Sequence, residues 1–212
     1  MNELLQAPPI TPLPPAPLLE RFLLEQPLLP VIVLALLAII AVVAFFGRSQ
    51  RRRGLLVAGI LIAIAGAVYA TASLVTTERE HLQARTVELI GATAQADTAA
   101  LQDLLTEDAS LRVTGELSRV LQPLDGREAI LDAATYRLRG RYTIDGWSIR
   151  DSQATIDGPN VGRTLVRVGV DASSFSRTHY SWWRLHWERG PGGVWRCFEI
   201  EPRWIQFGGS AD

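Results

Sequence analysis

The densest run of reactive side chains is "HYSWWRLHWERGPGGVWRCFEIEPRW", residues 179–204. It holds two of the three histidines, the single cysteine and five of the six tryptophans. Several chemistries draw on such residues. Zinc takes histidine and thiolate ligands, and structural sites bring them in close-spaced pairs. His179, His186 and Cys197 are the nearest set here, but they contain no such pair, so no metal is expected. A cysteine beside a histidine makes a nucleophile with its base, and Cys197 with His186 would be that pair. A cysteine on a strand among aromatics reads first as a small packed side chain. Glu199 and Glu201 share one strand face, whereas glycoside hydrolysis needs carboxyls on either side of the substrate. "GPNVGR" (158–163) is a turn between strands and lacks the helix that follows a phosphate-binding loop. No cofactor is expected.

The run itself reads as a hairpin. Gly190-Pro191-Gly192-Gly193 forms the loop, with a strand on each side. If Arg189 faces Val194, then Leu185 faces Phe198 and Trp183 faces Ile200, and one face also carries Trp187 and Arg196. The other face then sets Arg184 opposite Glu199, His186 opposite Cys197, and Trp182 opposite Glu201. The first face matches Val166, Val168 and Val170 of the preceding strand and is expected to cover the helices. Three roles are open. The tryptophans fill a core and Arg184–Glu199 is a cross-strand ion pair. Or Tyr180, Trp183 and Trp187 line a ligand pocket, with Arg184 or His186 as polar contacts. Or Trp182, His186, Glu199 and Glu201 form a protein interface on the outer sheet face.

The elements that must position this hairpin follow an α+β order. "TTEREHLQARTVELIGATAQA" (76–96) puts Leu82, Val87, Leu89 and Ile90 on a helical face, with Thr76 or Thr77 as N-cap. Asp97 caps a second helix through Leu105, with Ala100, Leu101, Leu104 and Leu105 inward. "SLRV" reads as a short strand, and a third helix covers 125–135 after a turn at Asp125-Gly126. Four longer strands follow in "RYTIDGWSIRDSQATIDG", "GRTLVRVGVDAS", "HYSWWRLHWER" and "GVWRCFEIEPRW".

"AQADTAALQDLLTEDASLRV", then "LDGREAI" before a helix, then long antiparallel strands resemble the nuclear transport factor 2-like superfamily, which includes polyketide-cyclase-like and ketosteroid-isomerase-like members. The resemblance covers about residues 77–207. It implies a cone, a curved sheet wrapped over helices with a pocket inside. Isomerases of that family use a tyrosine and carboxylic acids in the cavity. The helices at 77–105 contain no tyrosine, and no isomerase residue carries over. The resemblance is compatible with a binding or assembly module. It also implies two alternatives: an isomerase or hydratase working in the cone, and homodimers through the sheet.

Two uncharged runs precede this domain, 28–46 and 54–75. Each exceeds the roughly 18 residues that mark a membrane-spanning helix. The apolar run begins late, has no basic region before it and is followed by a second, which fits poorly with a cleaved signal. Between them Arg48, Arg51, Arg52 and Arg53 crowd into a loop of 47–54. Short basic loops stay in the cytoplasm. The expected protein is therefore a multi-pass protein of the bacterial inner membrane, with both termini and the domain at 76–212 outside the cytoplasm. The arginines also anchor helix ends by snorkelling. The spans carry no charged residue, which describes an anchor and leaves no ion or proton path. Gly59, Ala63, Gly66, Ala67 and Ala70 form a small-residue face, which packs the two spans as a hairpin or packs against another membrane subunit.

The remaining composition adds little. The proline-rich stretch at 7–17 favours an extended spacer. Residues 18–26 read as a short interfacial helix or as disordered chain. The net charge of −1 and the lack of a basic face beyond the spans exclude a nucleic-acid binder. All 21 basic residues are arginine, a trace of genomic composition. The expected partners are the bilayer, an envelope protein, a second copy of the chain, or a small apolar ligand.

Overall fold

The computed structural model describes residues 10–15, 17, 28–46, 51–136, 143–173 and 177–206. Arg48 and the segment 18–26 lie outside the described residues. The chain divides into two compact units, one at 15–77 and one combining the N-terminal arm up to Pro14 with Glu78 onward.

The first unit is a helical hairpin, α1 (Leu28–Phe46) and α2 (Arg51–Leu74). Both helices are long and apolar enough to cross a membrane, over Leu28–Phe45 and Arg52–Ala72. Helix α2 starts three residues earlier than the apolar run suggests. Arginine is a good helix former, so the helix continues into the basic segment, and Arg52 and Arg53 project from its first turn, exposed. The packing seam differs from the expected small-residue face. Gly59, Ala63, Gly66, Ala67 and Ala70 are all exposed, and the buried small residues are instead Gly54, Ala58 and Ala65 of α2 and Ala38 of α1. A Cβ on Gly54 would sit 2.7 Å from that of Phe45. The half-buried Leu61, Val68 and Ala72 continue the same line. Their spacing of four and three residues is that of two helices crossing at a shallow angle. Spacing alone does not choose between two small-residue stripes on one helix.

The second unit begins with α3 (Glu78–Gln95), directly after Thr77, and α4 (Thr98–Leu104). Asp97 caps α4, its carboxylate accepting from the Ala100 N–H at 3.1 Å. Strand β1 (Leu105–Leu111) follows at once, so Leu105 is the first strand residue and the strand begins well before "SLRV". After a 3-10 turn at Gly115–Arg119 come β2 (Leu124–Asp125), α5 (Arg127–Ala134), β3 (Ile144–Gly158), β4 (Val161–Ala172), β5 (His179–Arg189) and β6 (Trp195–Ile205). The six strands form one sheet in the order β2-β1-β6-β5-β4-β3. Strands β1 and β6 run parallel, and every other neighbouring pair is antiparallel. Bulges interrupt β3–β4 and β5–β6, and bulged strands bend and twist.

Helices α3 to α5 cover one face of this sheet. Helix α3 buries Leu82, Thr86, Leu89 and Ala92. Val87, expected inward, is 45% exposed, because the buried stripe runs through the small Thr86. That threonine is satisfied twice. Its hydroxyl lies 2.8 Å from the Leu82 carbonyl and 2.9 Å from Thr164 Oγ1, which also accepts from Trp187 Nε1 at 3.0 Å. A wholly buried polar chain thus ties α3 to β4 and β5. Gly162 permits the approach, since a Cβ there would meet Leu82 Cδ1 at 2.5 Å and the Thr155 carbonyl at 3.0 Å.

Candidate functional site

Between the helices and the sheet lies a cavity of about 300 Å³. Helix α3 contributes Leu89, Ile90, Thr93 and Ala94. Leu101, Leu105 and Leu111 come from α4 and β1, Leu121 from the connection beyond and Leu124 from β2. Helix α5 adds Ile130, Ala133 and Ala134, and the sheet adds Ile144, Trp147, Val168, Val170, Ser181, Trp183, Leu185 and Ile200. Strand alternation selects the sheet residues, since every second side chain faces the helices. The Trp147 ring crosses α3 at Gly91, where a Cβ would stand 3.1 Å from it. No lining side chain among the described residues ionises. Thr93 and Ser181 supply the hydroxyls. Thr93 donates to the Leu89 carbonyl at 2.7 Å, and Ser181 Oγ accepts from Trp183 Nε1 at 2.7 Å.

Of the five residues expected in a pocket, Trp183 lines this one. Trp187 is completely buried in the packed core beside it. Tyr180, Arg184 and His186 project from the opposite face, with Trp182, Glu199 and Glu201. The hairpin register explains part of the difference. Arg189 pairs with Trp195 instead of Val194, and a bulge at Phe198 shifts the pairing again, so Leu185 faces Ile200 and His186 faces Glu199. Arg184 consequently faces Glu201 and Trp183 faces Pro202. The shift at Arg189–Trp195 turns Cys197, opposite Trp187, into the core and leaves Arg196 exposed, donating to the Asp103 carbonyl at 3.2 Å. Cys197 and His186 therefore stand on opposite faces. Burial pushes the Cys197 thiol up to about 12, which removes the thiolate a nucleophile needs.

The outer face is a polar lattice. Glu199 Oε2 receives Arg112 at 2.7 Å, and Glu199 Oε1 lies 3.7 Å from His186 Nε2. Glu201 lies between Arg203 at 2.6 Å and Arg184 at 3.5 Å. Arg167 stacks over the Tyr180 ring at 4.8 Å. Burial lowers the His186 pKa, against the opposing pull of Glu199 and Glu201. The N-terminal arm meets this face. The Leu13 N–H donates to Gln153 Oε1 at 3.1 Å, and Gln153 pairs with Leu165, which is 1% exposed on the side away from the helices. No group of three or more His, Cys, Asp or Glu suited to a metal occurs among the described residues.

The cavity was only partly readable from sequence. The valines of β4 pointed to the inward face, but Trp147, Ser181 and the leucines at 111, 121 and 124 carried no distinguishing pattern.

No family model matches the chain, and no curated protein matches it. Among solved structures, an NTF2-like protein from Cytophaga hutchinsonii aligns over 60% of this chain and 98% of its own, at 13% identity and a TM-score of 0.48. A ketosteroid isomerase-like protein from Erwinia carotovora atroseptica aligns over 61% and 99%, at 11% identity and a TM-score of 0.48. A hexachlorocyclohexane dehydrochlorinase from Novosphingobium barchaimii aligns over 60% and 85%, at 13% identity and the same TM-score. At such identities nothing of their chemistry transfers.

Proposed function

We propose that this chain is a membrane-anchored binding module whose C-terminal domain, a cone of the nuclear transport factor 2-like kind, takes a small apolar molecule into its cavity. The observation that carries this reading is the cavity of about 300 Å³, lined without an ionisable side chain among the described residues. Interiors close-pack to near crystal density, and a void of this size falls at the lower end of ligand pockets. In this reading α1 and α2 are the anchor. The arginine segment 48–53 is the cytoplasmic turn, and the domain works outside the cytoplasm in a bacterial envelope.

An isomerase or hydratase would need an acid or base inside the cavity, with its pKa shifted by the site. Among the described residues the lining offers hydroxyls and indoles in place of such a group.

A ligand that binds only the folded state raises Tm. Isopropylnaphthalene should raise the Tm of the full chain in lipid nanodiscs, and Ala134→Trp, which fills the cavity from α5, should abolish the rise. No rise in the wild type would refute the reading.

A second reading concerns the outer face. The half-buried Trp182 stands there among Arg184, Glu199 and Glu201, and tryptophan and arginine are frequent at protein interfaces. A photo-crosslinker at Trp182 should then capture one discrete partner in native membranes. Capture of none sinks this second role.

A further inference from the structure

The cavity's two hydroxyls are not equivalent. Thr93 uses its proton on the Leu89 carbonyl of its own helix, 2.7 Å away. It offers a ligand only a lone pair. Ser181 stands the other way round. Its oxygen accepts the Trp183 indole N–H at 2.7 Å, and among the described residues no acceptor takes the serine's own proton. A serine hydroxyl has one proton to donate. Accepting one hydrogen bond polarises it toward donating another. Around it the wall is Val168, Val170 and Trp183, so a charge brought into the cavity would lose its hydration and find no counter-ion among the described residues.

Resting on the ligand-binding reading above, we propose that the cavity selects uncharged, largely hydrocarbon molecules carrying one hydrogen-bond acceptor, a ketone, ester or ether oxygen, which receives the Ser181 proton. Among the described residues the lining offers carboxylates and amines no counter-ion. The Trp183–Ser181 pair acts as the reader of the polar end, and the leucines and valines accept the rest without regard to detail. The ligand class is that of a neutral lipid or an apolar ring ketone.

The test compares two probes of matched shape, acetylnaphthalene and isopropylnaphthalene, by equilibrium dialysis of full-chain nanodiscs against empty ones. Ser181→Ala should weaken the ketone about three- to tenfold, the range of one neutral hydrogen bond, and leave the hydrocarbon unchanged. Ser181→Thr, which keeps a hydroxyl, should restore the ketone. If both probes weaken together, Ser181 only shapes the wall and the proposal fails. It fails equally if Ser181→Ala changes neither probe, or if Trp147→Phe and not Ser181→Ala removes the ketone's advantage. In those cases wild-type binding of the hydrocarbon still stands, and with it the broader reading. If neither probe binds the wild type, both fall.

Discussion

Cys197 shows how a one-residue shift in strand register decides a side chain's chemistry. Pairing Arg189 with Trp195 sets the thiol opposite Trp187 in the core, where burial suppresses its ionisation. In the folded protein it should resist a thiol reagent near neutral pH and react fully after denaturation. Fast labelling of the native chain would contradict the placement. The Thr86–Thr164–Trp187 chain makes a second prediction. Thr164→Val leaves the Trp187 N–H and the Thr86 hydroxyl each short of a buried partner, which costs about 1–3 kcal/mol. Urea unfolding measures it, and an unchanged midpoint would show that the chain contributes nothing.

His186 adds a pH dependence. Burial lowers its pKa from the ordinary 6.5, so the folded state prefers the neutral ring. As pH falls past 6.5 the unfolded chain binds the proton first. The stability tied to the neutral ring is complete above that pH and is lost below it. The unfolding midpoint should therefore drop less for His186→Asn than for the wild type between about pH 7 and pH 5. His179, lowered by burial and by Arg177, remains in both proteins. Parallel curves for the two proteins would contradict the assignment.

At the level of elements, most of the domain was legible because its signals are periodic or chemical. The helix at Thr98 announces itself through the Asp97 cap, and the four long strands are bounded by turn residues at 159–160 and 190–193. Register was not legible. A hairpin loop rich in glycine admits several pairings, and a bulge needs three-dimensional context to appear. The α2 seam failed for a related reason, since two small-residue stripes share the helix and only the partner's bulk chooses between them. Gly54→Leu should destabilise the helical hairpin in detergent, where a Cβ already meets Phe45 at 2.7 Å. Gly66→Leu, with open space around it, should not. Equal losses in thermal melts would show that the seam lies elsewhere.

For the whole molecule, the sequence displayed the two long apolar helices as uninterrupted hydropathy and the domain as an element order, while the cavity lining came from nine elements and one loop that no local pattern links. The arm that precedes the first helix of the hairpin docks, through Leu13, on the domain that follows the second. If α1 and α2 both cross the membrane, as proposed, the chain returns to the side on which it began, which this contact requires. All six tryptophans fall between residues 147 and 204, which makes tryptophan emission a reporter of the domain alone. The most direct measurement is quenching of that emission by bromodecane in nanodiscs carrying the full chain. An open apolar cavity beside Trp147 and Trp183 predicts saturable quenching in the wild type and little in Ala134→Phe, which fills the cavity without adding a fluorophore. No quenching in the wild type, or the same quenching in both, would contradict the account.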